Sequence, residues 1–158
     1  MKLWVLAVGK PGSLLAEAIA EYEARAQRYW SLESIEVKEE RAGKGVPTSS
    51  VIAAESDRLR ERMPRGVTVV ALTRTGDATS SERLARDIAG LASSGATGMA
   101  FLIGGAHGLS DQLLRNADRR LRLSTMTLPH DFARLILLEQ LYRVGTIVRG
   151  EPYHKARE

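Results

Sequence analysis

Three short runs, Leu3 to Val8, Val67 to Leu72 and Met99 to Ile103, constrain this chain more than any other feature. Each is apolar or β-branched at nearly every position and is bounded by turn residues. Gly9-Lys10-Pro11-Gly12 closes the first, Pro64-Arg65-Gly66 precedes the second, and Gly104-Gly105 ends the third. A strand with one wet face alternates apolar and polar residues; a strand covered on both faces does not. These runs therefore predict strands buried on both sides, and something must cover both sides.

The intervening segments supply the cover. Leu15, Ile19, Tyr22, Ala26 and Tyr29 recur at helical spacing among Glu17, Glu21, Arg25 and Arg28, which predicts an amphipathic helix of about four turns. Leu32 to Val37 reads as a weaker strand, and Arg41 to Pro47 as a basic, Gly-rich loop. Val51, Ile52, Glu55, Leu59 and Met63 place a helix over about 50–63. Thr79-Ser80-Ser81-Glu82 reads as a capping box ahead of Leu84, Ile88 and Leu91. Ser110 can cap a short helix carrying Leu113, Leu114 and Ala117. Leu121 to Leu128 reads as extended, and Asp131 as the cap of a last helix from about Phe132 to Arg149. Five β-α alternations with short connections predict a single α/β domain over 1–158, a parallel sheet with helices on both faces. The last helix is apolar almost all round, from Phe132 to Val148. It is either threaded deep in the fold or part of a homodimer interface, and we favour the latter.

Composition narrows the chemistry. The 158 residues include no cysteine and only His107, His130 and His154, scattered. Disulfides, thiolate metal sites and a cysteine nucleophile are excluded, and a zinc site is disfavoured. No stretch approaches the roughly 20 apolar residues of a membrane span, and the N-terminus is too short for a signal-peptide core, so a cytoplasmic address is expected. The net charge of +4 permits an anionic partner without demanding one.

In a parallel sheet, ligands sit beyond the carboxyl ends of the strands. Leu72 to Asp77, Ile103 to Gly108 and Leu123 to Pro129 are such ends and should converge. Gly104-Gly105 suits either a tight turn or close backbone approach to a ligand. The glycines match neither the dinucleotide fingerprint nor a P-loop. Ser124-Thr125-Met126-Thr127 offers hydroxyls and amides framed by Leu123, Met126 and Leu128, which suits an adenine or a plain edge strand. Arg115, Arg119 and Arg122 would share one face if a helix continued that far. Lys44, Arg74, Arg143, Arg149, Lys155 and Arg157 form further basic candidates for phosphate contact or for solvated surface. In the tail, Tyr153 can stack on a base and His154 titrates near neutral pH. Glu139 on the last helix requires a partner if buried, and Arg143, one turn on, is at hand.

Taken together, Phe101-Leu102-Ile103-Gly104-Gly105-Ala106-His107-Gly108-Leu109-Ser110, Leu123-Ser124-Thr125-Met126-Thr127-Leu128-Pro129-His130, Leu138-Glu139-Gln140-Leu141-Tyr142-Arg143 and Pro152-Tyr153-His154 form an ordered series. With Met1-Lys2-Leu3 and Ala7-Val8-Gly9-Lys10, this series resembles the RlmH family over essentially the whole chain. Those proteins are large-subunit ribosomal RNA (pseudouridine-N3)-methyltransferases of the SPOUT superfamily. His107 departs from that pattern, where acidic or small polar residues are common, and is given no catalytic role.

The resemblance implies a deep trefoil knot near the C-terminus, a rare exception to the unknotted rule. It implies a homodimer with the final helix at its interface. It implies S-adenosylmethionine (SAM) held against Leu72, Gly104, Leu123, Ser124, Thr125, Met126, Thr127 and Leu128. The expected substrate is a pseudouridine of 23S ribosomal RNA in the assembled ribosome, with no DNA or membrane partner. His154 is the expected base or orienting group, Tyr153 a stacking group and Arg143 a phosphate or anion holder. A ribosome-binding factor without catalysis, and a small nucleotide- or flavin-dependent oxidoreductase, are the competing classes.

Overall fold

The computed structural model describes residues 1–155, apart from the His154 side chain; Arg157 of the basic tail lies outside the described residues. Five strands, β1 (Lys2–Val8), β2 (Ser31–Val37), β3 (Thr68–Ala78), β4 (Gly98–Ile103) and β5 (Arg119–Arg122), form one sheet in the order β2-β1-β4-β3-β5. All pairings are parallel. The helices are α1 (Ala16–Ala26), α2 (Thr48–Arg62), α3 (Ser81–Ser93), α4 (Asp111–Asn116) and α5 (His130–Val148), followed by a 3₁₀ turn at Pro152–His154.

The alternation of side chains along the central strands explains their continuous apolar runs. Leu3, Val5 and Ala7 of β1, with Met99, Phe101 and Ile103 of β4, pack into one core with α1, α3 and α5. Trp4, Leu6 and Val8, with Ala100 and Leu102, point to the opposite side and pack with Leu59 of α2 and Leu113 of α4. Two cores, one on each face, require apolar residues at both parities. β2 is an edge strand, and there the pattern thins: Leu32, Ile35 and Val37 are buried whereas Ser31, Glu33 and Glu36 are exposed.

Several expectations are corrected. α1 is about three turns long, because the chain leaves the helix after Ala26 and turns through Gln27 to Trp30. β3 runs six residues past Leu72. Its extension is polar, Thr73-Arg74-Thr75-Gly76-Asp77-Ala78, and pairs with β5 after a register shift: Leu72 and Asp77 both partner Leu121. The three arginines share no helix face. α4 stops at Asn116, Asp118 accepts the Val69 N–H at 2.7 Å, and that bond turns Arg119 and Arg122 into β5. Of the stretch expected to be extended, only Leu121 and Arg122 belong to β5; Leu123 to Leu128 forms a loop in which Met126 N–H donates to Ser124 Oγ at 3.0 Å. Asp131 does not cap α5. The helix begins at His130 behind Pro129, and the Asp131 carboxylate reaches across to the Gly12 N–H at 2.8 Å.

The cap of α3 also sits one residue later than the sequence pattern suggests. Ser80, not Thr79, accepts the Arg83 N–H at 3.1 Å. Ser80→Ala should therefore lower stability by about 1 kcal/mol, with Thr79→Ala near neutral, in urea unfolding. Equal effects at the two positions would contradict this assignment.

Candidate active site

The carboxyl ends of β3, β4 and β5 open onto a cleft of about 780 Å³. Leu72, Thr73 and Arg74 border it from β3, Gly104 to Leu109 from the β4 end, and Leu123, Ser124, Met126, Thr127 and Leu128 from the loop after β5. Of the residues expected to hold a cofactor, only Thr125 is not part of this lining. The walls combine leucines and Ile103 with the hydroxyls of Thr73, Ser124 and Thr127. The Arg74 guanidinium donates to Thr127 Oγ1 at 3.0 Å and ties the β3 end to the loop.

The Gly-Gly strand end serves as a tight turn and as cleft wall together. Gly108 N–H donates to Gly105 O at 3.1 Å, and Gly108 has φ +85°, a value that L side chains rarely adopt. Gly104 lies flat on that turn: a Cβ there would come within 2.6–2.9 Å of the Gly108 backbone. A side chain at 104 would therefore displace the turn itself, besides narrowing the cleft.

Arg143 and Tyr153 do not line this cleft. They meet each other at the other end of α5, around Glu139. Arg143 Nη2 donates to Glu139 Oε1 at 2.6 Å, and the Tyr153 hydroxyl donates to the same oxygen at 3.2 Å. The Arg143 guanidinium stands 4.9 Å from the Tyr153 ring centre. The Glu139 hydrogen bond raises the Arg143 pKa further, so its cation is fixed. Partial burial, and then the Glu139 charge, push the Tyr153 phenol up to about 12. Tyr153 is thus a neutral donor near pH 7, not a base. The His154 imidazole, the expected proton acceptor, lies outside the described residues.

The sequence reading missed how far this cluster extends. Tyr142 stacks at 4.5 Å from Tyr153, 5.7 Å from Tyr29 and 6.4 Å from Tyr22. Arg25 and Arg149 lie over Tyr22 and Tyr29. All four tyrosines of the chain thus gather where α1, α5 and the tail meet. For Tyr22, Tyr29 and Tyr142 the sequence signal was only core-like helical spacing. The Tyr29 phenol is also raised, chiefly by its hydrogen bond to Glu151. Both phenols are favoured neutral in the folded state. Their contribution to stability is fully present below the unfolded value near 10.0 and is lost as pH rises through the folded values, about 12 for Tyr153. Ultraviolet titration of the folded protein should show delayed ionisation of these tyrosines, and Glu139→Gln should bring Tyr153 back toward 10. Uniform ionisation near 10 would contradict the cluster.

The family model described as "Predicted SPOUT methyltransferase" matches residues 1–154. The chain belongs to this SPOUT methyltransferase family. Among curated relatives, the protein named "Ribosomal RNA large subunit methyltransferase H" from Gemmatimonas aurantiaca is 46% identical, over 98% of this chain and 100% of the relative. The protein of the same name from Syntrophotalea carbinolica is 43% identical, over 98% and 99%. These matches place the chain in the RlmH branch of the SPOUT fold that its motifs resemble. A solved structure described as a "Probable Methyltransferase" from Bordetella pertussis is similar in fold, with a TM-score of 0.53 at 15% identity, over 90% of this chain and 95% of that one. The structure of "a probable methylase family protein" from Haemophilus influenzae is likewise similar in fold, with a TM-score of 0.54 at 12% identity, over 99% of this chain and 71% of that one.

Proposed function

We propose that this chain is a SAM-dependent methyltransferase that methylates N3 of a pseudouridine in 23S ribosomal RNA, on assembled ribosomes in the cytoplasm. The observation that carries this reading is the cleft at the ends of β3, β4 and β5, in a chain related over its full length to large-subunit ribosomal RNA methyltransferases.

The residues present fit SAM. The volume falls within the range of about 300–1,000 Å³ typical of small-molecule sites. Leu72, Ile103, Leu121, Leu123 and Leu128 supply an apolar slot for the adenine, and Ser124, Met126 and Thr127 supply hydroxyls and amides for its edge and the ribose. Gly104 allows backbone contact without a side chain in the way. When bound, the cofactor supplies an activated methyl group open to direct displacement, so no covalent nucleophile is required. The protein must align the acceptor nitrogen and dispose of its proton. His154 takes that proton in this reading. Arg143, held cationic by Glu139, stabilises the anion that develops on the base. Tyr153 stays protonated and stacks or donates.

The distance between these groups and the cleft supports a homodimer. Arg143 follows the cleft residue Ala133 by ten positions on α5, about 15 Å along the axis at about 1.5 Å per residue. A second copy would bring its own Arg143 and Tyr153 to this cleft. Phe132 and Val148, 41% and 50% exposed at the two ends of α5, are apolar surface for such an interface. The chain path around the cleft is a deep trefoil knot in this reading, as the resemblance to the family implies. Among the described residues, no helix is long and apolar enough to cross a membrane.

In cells lacking this protein, nucleoside mass spectrometry of 23S RNA should show loss of an N3-methylated pseudouridine. Retention of that mark would remove the assignment.

A further inference from the structure

The cleft shares a wall with a second cavity. Ala106 and His107 of the Gly105–Gly108 turn border both. This second cavity, about 810 Å³, opens among the ends of β1 and β2, the loop after β2, and α2. Glu55 of α2 lines it and is only 2% exposed. Glu55 Oε2 accepts the Glu40 N–H at 3.1 Å, whereas Oε1 is buried with no hydrogen-bond partner. Among the described residues it is the only carboxylate oxygen so placed. A buried acceptor without a donor is destabilising, and it requires an explanation. Gly105 lies against it: a Cβ there would come within 2.8 Å of Oε1, so a ligand group reaches this oxygen only as the turn or the carboxylate shifts to admit it. Of the neighbouring acids, Glu36 is matched by Arg134 at 3.0 Å and Glu40 by Arg58, while Glu39 adds a further carboxylate to the lining. Lys10, Lys38 and Arg41 also line the cavity and leave cationic surface around it.

We infer that this cavity takes an unpaired RNA nucleotide next to the methylated one, with Glu55 Oε1 accepting a hydrogen bond from an exocyclic amino group of its base. The inference rests on the reading of the chain as an RNA methyltransferase. Unpaired bases expose their pairing edges to proteins, and a carboxylate accepts from amino groups there. Guanine, cytosine and adenine carry such a group. Uracil does not: its one edge donor is flanked by two carbonyls that would face the carboxylate. Lys10, Lys38 and Arg41 hold the adjoining phosphate without reading sequence.

The test titrates guanosine, cytidine, adenosine and uridine 5′-monophosphates into the full-length protein by calorimetry. The amino-bearing nucleotides should bind, with uridine monophosphate at least about tenfold weaker. Glu55→Gln should lose about tenfold in that binding while its melting temperature holds or rises and its SAM affinity stays within about twofold. Arg41→Ala should weaken all nucleotides alike. Equal binding of uridine monophosphate, or unchanged binding in a folded Glu55→Gln protein, overturns the inference. The selectivity of the unaltered protein decides the matter even if that variant fails to fold. Selective nucleotide binding without methyl transfer to ribosomes would sink the methyltransferase reading and leave the cavity assigned. Methyl transfer without selectivity would do the reverse.

Discussion

Gly76→Val should destabilise the protein by about 3 kcal/mol or more and abolish SAM binding with it. Gly76 lies in the polar extension of β3, against the backbone of β5. A Cβ there would stand 2.7 Å from Arg120 C, Leu121 N and Leu121 C. Those are backbone atoms of a paired strand and cannot swing aside as a side-chain tip could. Relief requires parting β3 from β5, which carry Leu72 and Leu121 of the cleft. Gly90 provides the control. It is an exposed position in α3 with nothing within 4 Å of its Cβ, so Gly90→Ala should stabilise by about 0.5–1 kcal/mol. Urea unfolding and calorimetric SAM titration read both. A Gly76→Val protein of ordinary stability would mean that the two strands do not cross so closely.

Two inactive variants should restore each other. Ser124→Trp fills the cleft and should remove SAM binding. Arg143→Ala leaves the cleft intact and should keep SAM binding while transfer falls about 100-fold. If the cleft of one copy works with Arg143 of the other, co-expression places both defects in one of the two sites of a mixed dimer. The other site is whole. Half the dimers are mixed and each carries one intact site, so about a quarter of the unaltered rate should return. No recovery, with mixed dimers verified by mass, would place Arg143 and the cleft of a single chain in the same site and refute the cross-subunit arrangement.

The parts of the fold legible in sequence are those where burial dictates composition. Leu3–Val8 and Met99–Ile103 had to be apolar at every position because both faces of β1 and β4 meet a core. The convergence of Leu72, Gly104 and the 123–128 loop followed from strand direction alone. The β3 extension was hidden because its polar residues lie beyond both cores. Asp131 looked like a cap because local pattern cannot see Gly12, which is distant in sequence and holds that carboxylate. The arginines after α4 failed for a similar reason: Asp118 ends the helical path by bonding to β3. The Glu139–Arg143 pair was legible because it is a one-turn contact. That Tyr153 folds back onto it was not, since nothing local directs the tail.

The most direct measurement is transfer of labelled methyl from SAM, by the purified protein, to ribosomes from a strain lacking it, beside protein-free ribosomal RNA from the same cells. Label in the large-subunit RNA of intact ribosomes, at N3 of a pseudouridine and well above that in free RNA, is the predicted result. No label in either substrate, from a folded dimer, would contradict the account and leave a ribosome-binding factor without catalysis.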